Sequence, residues 1–209
     1  MLRREAVRPE LLGVLEKVAS NSDFSNFYLV DGTALALMLG HRVSVDLDFF
    51  MRDETDFETL AQTLFRHFPE ATVFNINKGG MNAMIGKVKV DFVRHDYPML
   101  RPLENVEGIT FLSMYDIALQ KVHAIIKRGT KKDFIDLYYL FREFTLQEIV
   151  EGYQKKYGNF AASLIIRSLM WFEDAEENAQ PEVFEDVSWE DVKDAIQKII
   201  YLNARELDD

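Results

Sequence analysis

The chain has 209 residues, and its 24 Lys and Arg against 35 Asp and Glu give a formal net charge of −11. This acidity excludes nucleic-acid binding by bulk charge, because phosphate binding needs clustered cations. Cysteine is absent, which excludes disulfides, thiolate zinc sites and cysteine nucleophiles. No apolar run approaches the roughly 20 residues that a membrane span needs. Because the charged, amphipathic start also lacks a signal-peptide core, we expect a cytoplasmic protein with no membrane partner.

The first half of the chain predicts helices mixed with strands. Apolar spacing, turn residues and strand-like alternation define these elements. The predicted helices cover 9–20, 33–39 and 56–68, and the predicted strands cover 27–30, 45–51, 71–76, 81–85 and 87–93.

The character of the chain changes after Pro98 and Pro102, where helices follow almost alone. They are predicted over 113–128, 132–143, 146–157, 159–172 and 188–202, and the acidic stretch 173–190 is predicted to be a solvated loop and helix start. Mixed elements followed by helices indicate an α+β fold. We expect an α/β core over 1–110 and a helical region over 111–209, with the boundary near 100–112.

Two aspartates at alternate positions, Asp46 and Asp48, lie in a strand-like segment. On a strand they point to one face, with Cα atoms roughly 6.6 Å apart. Leu47 and Phe49 then face the core, and a one-residue slip would bury both aspartates. Such a carboxylate pair can share hard divalent cations, with substrate phosphates filling other positions. A surface Asp-x-Asp at a strand end is the alternative, and it is the more frequent one for the bare motif.

Gly32 and Thr33 open a predicted helix directly after a strand. A helix N-terminus there presents N–H groups that can bind a phosphate. The alternative role of Thr33 is that of helix N-cap, and the two roles are compatible. Further along, Asp91 ends an alternating strand as a candidate third carboxylate. Lys87 and Lys89 share its predicted face, so Asp91 can instead be an ion-pair partner of these lysines.

One segment of this acidic chain is densely basic, with five cations at Lys121, Lys127, Arg128, Lys131 and Lys132. Lys121 and Arg128 are seven residues apart and therefore share a helix face. Asp133 and Asp136 lie on the next predicted helix, where Lys132 can pair with Asp136. The segment can meet a triphosphate or an RNA backbone. The alternative is a solvated, salt-bridged pair of helices.

Three separated blocks together resemble a known family. They are DGTALALMLGHRVSVDLDFF, VKVDFV and DIALQKVHAIIKRGTKKDFIDLYYL. Their order along residues 27–140 resembles that of the AbiEii/AbiGii-type nucleotidyltransferase toxins, of the DNA polymerase β-like superfamily. The resemblance implies a mixed-sheet core, Mg²⁺ held by carboxylates, and transfer of a nucleoside monophosphate from a nucleoside triphosphate. It also implies a tRNA or protein acceptor and a winged-helix antitoxin as genetic partner.

The resemblance assigns roles to individual residues. The metal-binding and catalytic carboxylates are Asp46, Asp48 and Asp91, and the triphosphate-contacting lysine is Lys121. Asp133 and Asp136 match the Lys-Asp-x-x-Asp block and complete the catalytic set. The nucleotide-binding set is Gly32, Thr33, Arg42, Ser44, Lys121, Arg128 and Lys132.

One position departs from the family pattern, because Asp31 stands where the family usually has the first glycine of Gly-Gly-Thr. A carboxylate there opposes triphosphate binding unless a metal or Arg42 offsets its charge. Two other functions therefore stay open. One is a non-catalytic relative that binds a nucleotide or a partner protein, and the other is a Mg²⁺-dependent phosphohydrolase.

Overall fold

A computed structural model describes residues 1–158 and 160–203. The chain forms two compact units, one of Met1–Asp96 with Pro102–Ser113, and one of Tyr97–Arg101 with the chain from Met114 onward. The first unit contains α1 (Pro9–Ala19), β1 (Tyr28–Leu29), α2 (Asp31–Leu39), β2 (Asp46–Met51), α3 (Phe57–His67), β3 (Ala71–Asn77), β4 (Gly80–Ile85), β5 (Val88–Arg94), β6 (Glu104–Val106) and β7 (Ile109–Phe111).

The first unit is built on one mixed sheet, as the sequence predicted. The strand order is β3-β4-β5-β2-β1-β7-β6. The β2–β5 and β1–β7 pairs are parallel, and the other pairs are antiparallel. The two central strands β2 and β5 therefore run side by side in the same direction, which brings equivalent positions of both strands to one place.

The core lies on one face of these central strands. In β2 the buried residues alternate with half-buried ones, so that Leu47, Phe49 and Met51 point into the core. Phe92 of β5 stacks on Phe49 with ring centroids 5.4 Å apart, and α1 packs against both strands. The predicted register of β2 is confirmed, because its apolar side chains are buried and its aspartates point to the opposite face.

Two short strands were missed by the sequence analysis. β6 and β7 form a hairpin in the region where only a boundary was expected. Its turn residues Glu107 and Gly108 both have positive φ, at 53° and 83°, as hairpin turns require. Three residues a strand are too few to show a strand period, and β7 is held by parallel pairing of Phe111 with the distant Leu29.

The second unit is helical, as predicted. It contains α4 (Met114–Lys127), α5 (Lys131–Leu140), α6 (Leu146–Tyr157), α7 (Ala162–Leu169), α8 (Glu173–Glu176) and α9 (Trp189–Asn203). Part of the acidic stretch predicted as loop forms α8, because Ala175 is buried. Position 159 of the predicted 159–172 helix and residues 204–209 of the predicted helical region lie outside the described residues. None of the described helices is long and apolar enough to cross a membrane.

A buried ion pair ties the segment Tyr97–Arg101 to the second unit. The Lys156 ammonium lies 2.7 Å from Asp116 Oδ1 and donates to the Pro98 carbonyl, also at 2.7 Å. The Asp116 carboxylate accepts the main-chain N–H groups of Leu100 and Arg101, each at 3.0 Å. These bonds hold the segment against α4 and α6, so the chain enters the second unit, returns for the β6–β7 hairpin, and enters it again at Met114.

Candidate functional site

The polar face of β2 and β5 brings the three predicted carboxylates together. β2 and β5 pair in parallel so that Asp48 lies directly opposite Asp91 and Asp46 lies opposite Lys89. Paired positions of neighbouring strands point to the same face. Asp46, Asp48, Asp91 and Lys89 therefore occupy the four corners of one small surface, which lies opposite the apolar core.

The surroundings of Asp48 in this surface disfavour the ionised form of its carboxyl group. Burial, followed by the negative charges of Asp31, Asp46 and Asp91, raises the pKa of Asp48 to about 7 against the opposing effect of Lys89. Functional sites often contain a carboxyl group that is costly to ionise because it is buried and other carboxylates surround it. The raised pKa also shows that Asp31 lies close enough to act on Asp48.

Asp91 is held in place from two sides. Its Oδ1 accepts a hydrogen bond from the Asn82 amide at 2.9 Å, and its Oδ2 lies 2.6 Å from the Lys89 ammonium. Asn82 lies opposite Asp91 on β4. The ion pair that the sequence analysis kept as an alternative for Asp91 is thus present with Lys89, and it coexists with the carboxylate cluster.

The turn before α2 is bound to the carboxylate strand. The Val30 N–H donates to the Asp48 carbonyl at 2.9 Å, and the next residue, Asp31, starts α2 with a φ of 55°. A non-glycine residue with positive φ is uncommon and costs conformational energy. Hydrogen bonding to β2 therefore holds Asp31, the residue in place of the family's glycine, next to Asp48.

Gly32 makes room for an arginine. A Cβ at Gly32 would lie 2.4 Å from Nη2 of Arg42 and 3.6 Å from the Ser44 hydroxyl. Both Arg42 and Ser44 are buried. The missing side chain of Gly32 thus lets a guanidinium pack against the first turn of α2, where it adds positive charge to a helix N-terminus.

The side chain of Thr33 links the first turn of α2 to the start of β2 through hydrogen bonds. Its hydroxyl hydrogen-bonds to the Ser44 hydroxyl at 2.8 Å and donates to the carbonyl of Asp46, and the residue is fully buried. The N-cap of α2 is Val30, so the N-cap interpretation of Thr33 is wrong. Its hydroxyl positions the helix N-terminus instead, and any contact of Thr33 with a phosphate is left to its main-chain N–H.

The donor set suits a hard divalent cation. Within the described ranges 1–158 and 160–203, no three His, Cys, Asp or Glu side chains are arranged to hold a metal ion as they stand. One of the three carboxylates, Asp91, is already occupied by Lys89 and Asn82. The remaining pair, Asp46 and Asp48, supplies carboxylate oxygens of the type that Mg²⁺ prefers. Burial and then the charges of neighbouring carboxylates raise the pKa of Asp48, and a divalent cation would favour its ionised form again.

The second predicted cluster, on α4 and α5, is a buried ion-pair network. The Lys121 ammonium lies 2.8 Å from Asp136 Oδ2 and 3.3 Å from Asp133 Oδ1, and all three side chains are fully buried. Lys121, which the resemblance made the triphosphate-contacting lysine, instead pairs in this structure with two carboxylates that link α4 to α5 and neutralise its charge. Asp133 also accepts a hydrogen bond from Thr130 at 2.5 Å.

The basic surface of this cluster is smaller than the sequence suggested. Lys131 is buried as well as Lys121, and Lys132 is half-buried. Arg128 keeps 56% of its side chain exposed, although its Nε lies 3.6 Å from Asp133 Oδ2. Of the three cations predicted to bind nucleotide here, Arg128 is therefore the one most open to solvent.

Two residues of the site escaped the sequence analysis as functional candidates. Asn82 carried no signal, because a polar residue in a predicted strand is common. Lys89 was noted only as an ion-pair partner. Its register could not be read from the sequence, since the parallel pairing of β2 with β5 is what sets it beside Asp46.

Solved structures with a similar fold include a nucleotidyltransferase toxin. JHP933 from Helicobacter pylori superposes with a TM-score of 0.61 at 16% identity, over 100% of this chain and 95% of that one. MenT4, a nucleotidyltransferase toxin from Mycobacterium tuberculosis H37Rv, superposes with a TM-score of 0.56 at 13% identity, over 96% and 93%. The fold, with its carboxylates on two parallel strands, is thus that of a nucleotidyltransferase.

The family follows from the sequence comparison. The model of the family described as "Nucleotidyl transferase AbiEii toxin, Type IV TA system" matches residues 14–200. An uncharacterized protein of Aquifex aeolicus (strain VF5) is 36% identical over 199 residues, which are 92% of this chain and 95% of that protein. The chain belongs to the AbiEii nucleotidyltransferase toxin family, so the resemblance predicted from its three sequence blocks is confirmed.

Proposed function

We propose that this protein is a Mg²⁺-dependent toxin that moves a nucleoside monophosphate from a nucleoside triphosphate to an RNA, such as tRNA, or to a protein acceptor. The family supports a nucleotidyltransferase toxin. The observation that carries the rest is the register of β2 and β5, which sets Asp48 opposite Asp91 and places Asp46 on the same face.

In this reaction the carboxylates bind the metal ion and the first turn of α2 binds the phosphates. Asp46 and Asp48 would hold the metal ion, with Asp91 as the third carboxylate of the same face. Mg²⁺ held there would supply neutralisation of charge on the transferred phosphoryl group and activation of the attacking hydroxyl. One of the aspartates accepts the proton of the acceptor hydroxyl. The hydroxyl oxygen forms the new bond to the α-phosphorus while the α–β phosphoanhydride bond breaks and pyrophosphate leaves.

The first turn of α2 holds the phosphates. The first turn of an α-helix presents main-chain N–H groups at the helix end, and the helix dipole favours negative charge there. Arg42, packed against Gly32, adds a fixed cation next to these groups. Thr33 and Ser44 keep the turn bound to β2, so that phosphates on the turn lie beside the metal-binding carboxylates.

Asp31 favours a second candidate function, a non-catalytic protein that binds nucleotide or a partner protein. Its negative charge contributes to the raised pKa of Asp48, and the same charge opposes a triphosphate at the turn. The two candidates differ in their response to Mg²⁺. A bound divalent cation would offset the charge of one carboxylate, and the other carboxylates would then be available for the transfer reaction.

The test is transfer of label from each of the four NTPs to total RNA and protein of a cell extract in the presence of Mg²⁺. Asp48→Asn is expected to abolish transfer, because it removes the charge of a metal ligand at constant size. Asp53→Asn is the matched control, since Asp53 is exposed beyond the end of β2 and should leave transfer unchanged. Equal inertness of all three proteins, with nucleotide or partner binding retained, would select the non-catalytic candidate.

An antitoxin is the expected genetic partner. We propose that a neighbouring gene encodes a winged-helix protein and that its co-expression restores growth to cells that produce this protein. Growth arrest by the native chain and its absence with Asp48→Asn would connect toxicity to the carboxylate site.

A further inference from the structure

Lys89 is a cation built into the carboxylate face. It lies two positions before Asp91 on β5 and directly opposite Asp46 on β2. These neighbours set its ammonium among the carboxylates, and the ammonium lies 2.6 Å from Asp91 Oδ2. A divalent cation bound to Asp91 would need the same oxygen.

The ion pair is asymmetric in its exposure. The Asp91 side chain is only 13% exposed, whereas the Lys89 side chain is 53% exposed. Asp91 is also fixed by Asn82, so Lys89 is the partner that is able to move. The attraction extends beyond Asp91, because hydrogen bonding to Asp91 and the charges of Asp48 and Asp46 raise the pKa of Lys89.

We propose that Lys89 is an exchangeable counter-ion of the site: it neutralises Asp91 in the metal-free protein, leaves it when the metal binds, and then contacts the phosphates of the nucleotide. The inference deepens the proposed function and rests on it. It assigns to Lys89, on the carboxylate face itself, the phosphate-contacting role that the buried Lys121 was expected to fill.

The exchange follows from the charges of the face. The carboxylates of Asp31, Asp46 and Asp91 act on that of Asp48 there, and the Lys89 ammonium, paired with Asp91, offsets part of their charge. When a divalent cation replaces it on Asp91, the released ammonium has a flexible stem of four carbons and three donors. A nucleotide that arrives with its metal brings new negative charge to the same face, which attracts the released ammonium.

The experiment compares Lys89→Met with the native chain and with Lys87→Met. Lys87 is exposed two residues earlier, so its substitution removes the same charge without the contact to Asp91. The first measurement is a Mg²⁺ titration by calorimetry without nucleotide, repeated with Mn²⁺ by electron paramagnetic resonance. The second is binding of a non-hydrolysable ATP or CTP analogue at saturating Mg²⁺. Circular dichroism confirms the fold of each variant, and Lys89→Gln is the replacement if Lys89→Met does not fold.

The proposal predicts opposite changes in the two measurements. Lys89→Met should bind the metal ion up to about fivefold more tightly, as expected for loss of an exposed competing ion pair. It should bind the analogue about tenfold or more weakly, as expected for loss of a charge-assisted contact. Lys87→Met should change either affinity less than twofold.

Each other outcome has one meaning. Metal and analogue affinities of Lys89→Met equal to those of the native chain would overturn the exchange, as would a loss of metal affinity. A native chain that binds neither metal nor analogue would instead contradict the proposed function, which separates the two failures. Tighter metal binding with unchanged analogue binding would overturn the phosphate contact.

Discussion

Acidic residues serve opposite purposes in two regions of this molecule. On α4 and α5, Asp133 and Asp136 share the Lys121 ammonium, and all three side chains are fully buried. On β2 and β5, by contrast, Asp46, Asp48 and Asp91 share a face with one half-exposed lysine, and burial among carboxylates raises the pKa of Asp48 to about 7.

The difference separates the charges of a structural ion-pair network from those of a candidate functional site. Where carboxylates and lysine are buried together at close distance, the charges are balanced and the network joins two elements. Where carboxylates outnumber their cations, the folded chain bears a repulsion that a ligand can relieve. The comparison predicts effects of opposite sign when single charges are removed from the two regions.

The largest effect is expected at Lys121. Lys121→Met leaves two buried carboxylates without their cation and should lower the free energy of unfolding by about 3–5 kcal/mol. Urea unfolding followed by circular dichroism measures the loss. The triple variant with Asp133→Asn and Asp136→Asn should recover most of this stability, because it removes the uncompensated charges as well. A small loss in Lys121→Met would contradict the structural role and revive the ligand contact.

A smaller loss is expected at the second buried pair, between Lys156 and Asp116. Lys156→Met should lower the free energy of unfolding by about 2–3 kcal/mol, less than at Lys121, because Asp116 keeps the N–H donors of Leu100 and Arg101. Amide exchange should accelerate at those two N–H groups. Unchanged exchange there would show that the ion pair does not hold the segment Tyr97–Arg101.

The opposite sign is expected at the carboxylate face. In the absence of metal at pH 8, Asp48→Asn should raise the free energy of unfolding by about 2 kcal/mol, since it removes a carboxylate that folding disfavours. The folded-state pKa of about 7 lies above the ordinary value of 3.8, so the native chain takes up a proton on folding between these values. Its stability relative to Asp48→Asn should therefore rise as the pH falls from 8 to 4.

Asp48→Asn should also differ from a variant of the helical region in its response to metal. Saturating Mg²⁺ should raise the melting temperature of the native chain and of Lys156→Met alike, but not that of Asp48→Asn. An equal rise in all three proteins would place the metal site away from Asp48.

The smallest effect on stability is expected at Asp31. Asp31→Gly should stabilise the fold by about 1 kcal/mol, because glycine adopts the φ of 55° without the steric cost. It should also tighten triphosphate binding in Mg²⁺ by up to about tenfold through loss of a like charge. Asp31→Asn separates the two effects, since it removes the charge and keeps the side chain. Equal triphosphate affinities in all three proteins would remove the repulsion argument.

The sequence alone was sufficient for the longer helices and strands and for the direction of the side chains of β2, although not for the short β6–β7 hairpin. The alternation of Asp46 and Asp48 with Leu47 and Phe49 is a local pattern, and burial of the apolar positions leaves the aspartates one face to occupy. Gly40, which ends α2, is a second local feature, because its φ of 66° favours glycine. Such features depend on neighbours along the chain and can be read from a single sequence.

The partner of each charge was decided only by the tertiary structure. Asp48 and Asp133 look alike in the sequence, as aspartates within six positions of a basic residue, yet one faces three other carboxylates and the other a buried ammonium. The β2–β5 register and the packing of α4 on α5 make that difference, and both join residues that are distant in the chain. Because the energy of a charge depends on burial and on charges within a few ångströms, contacts across the fold determine whether an aspartate supports the structure or is available for chemistry.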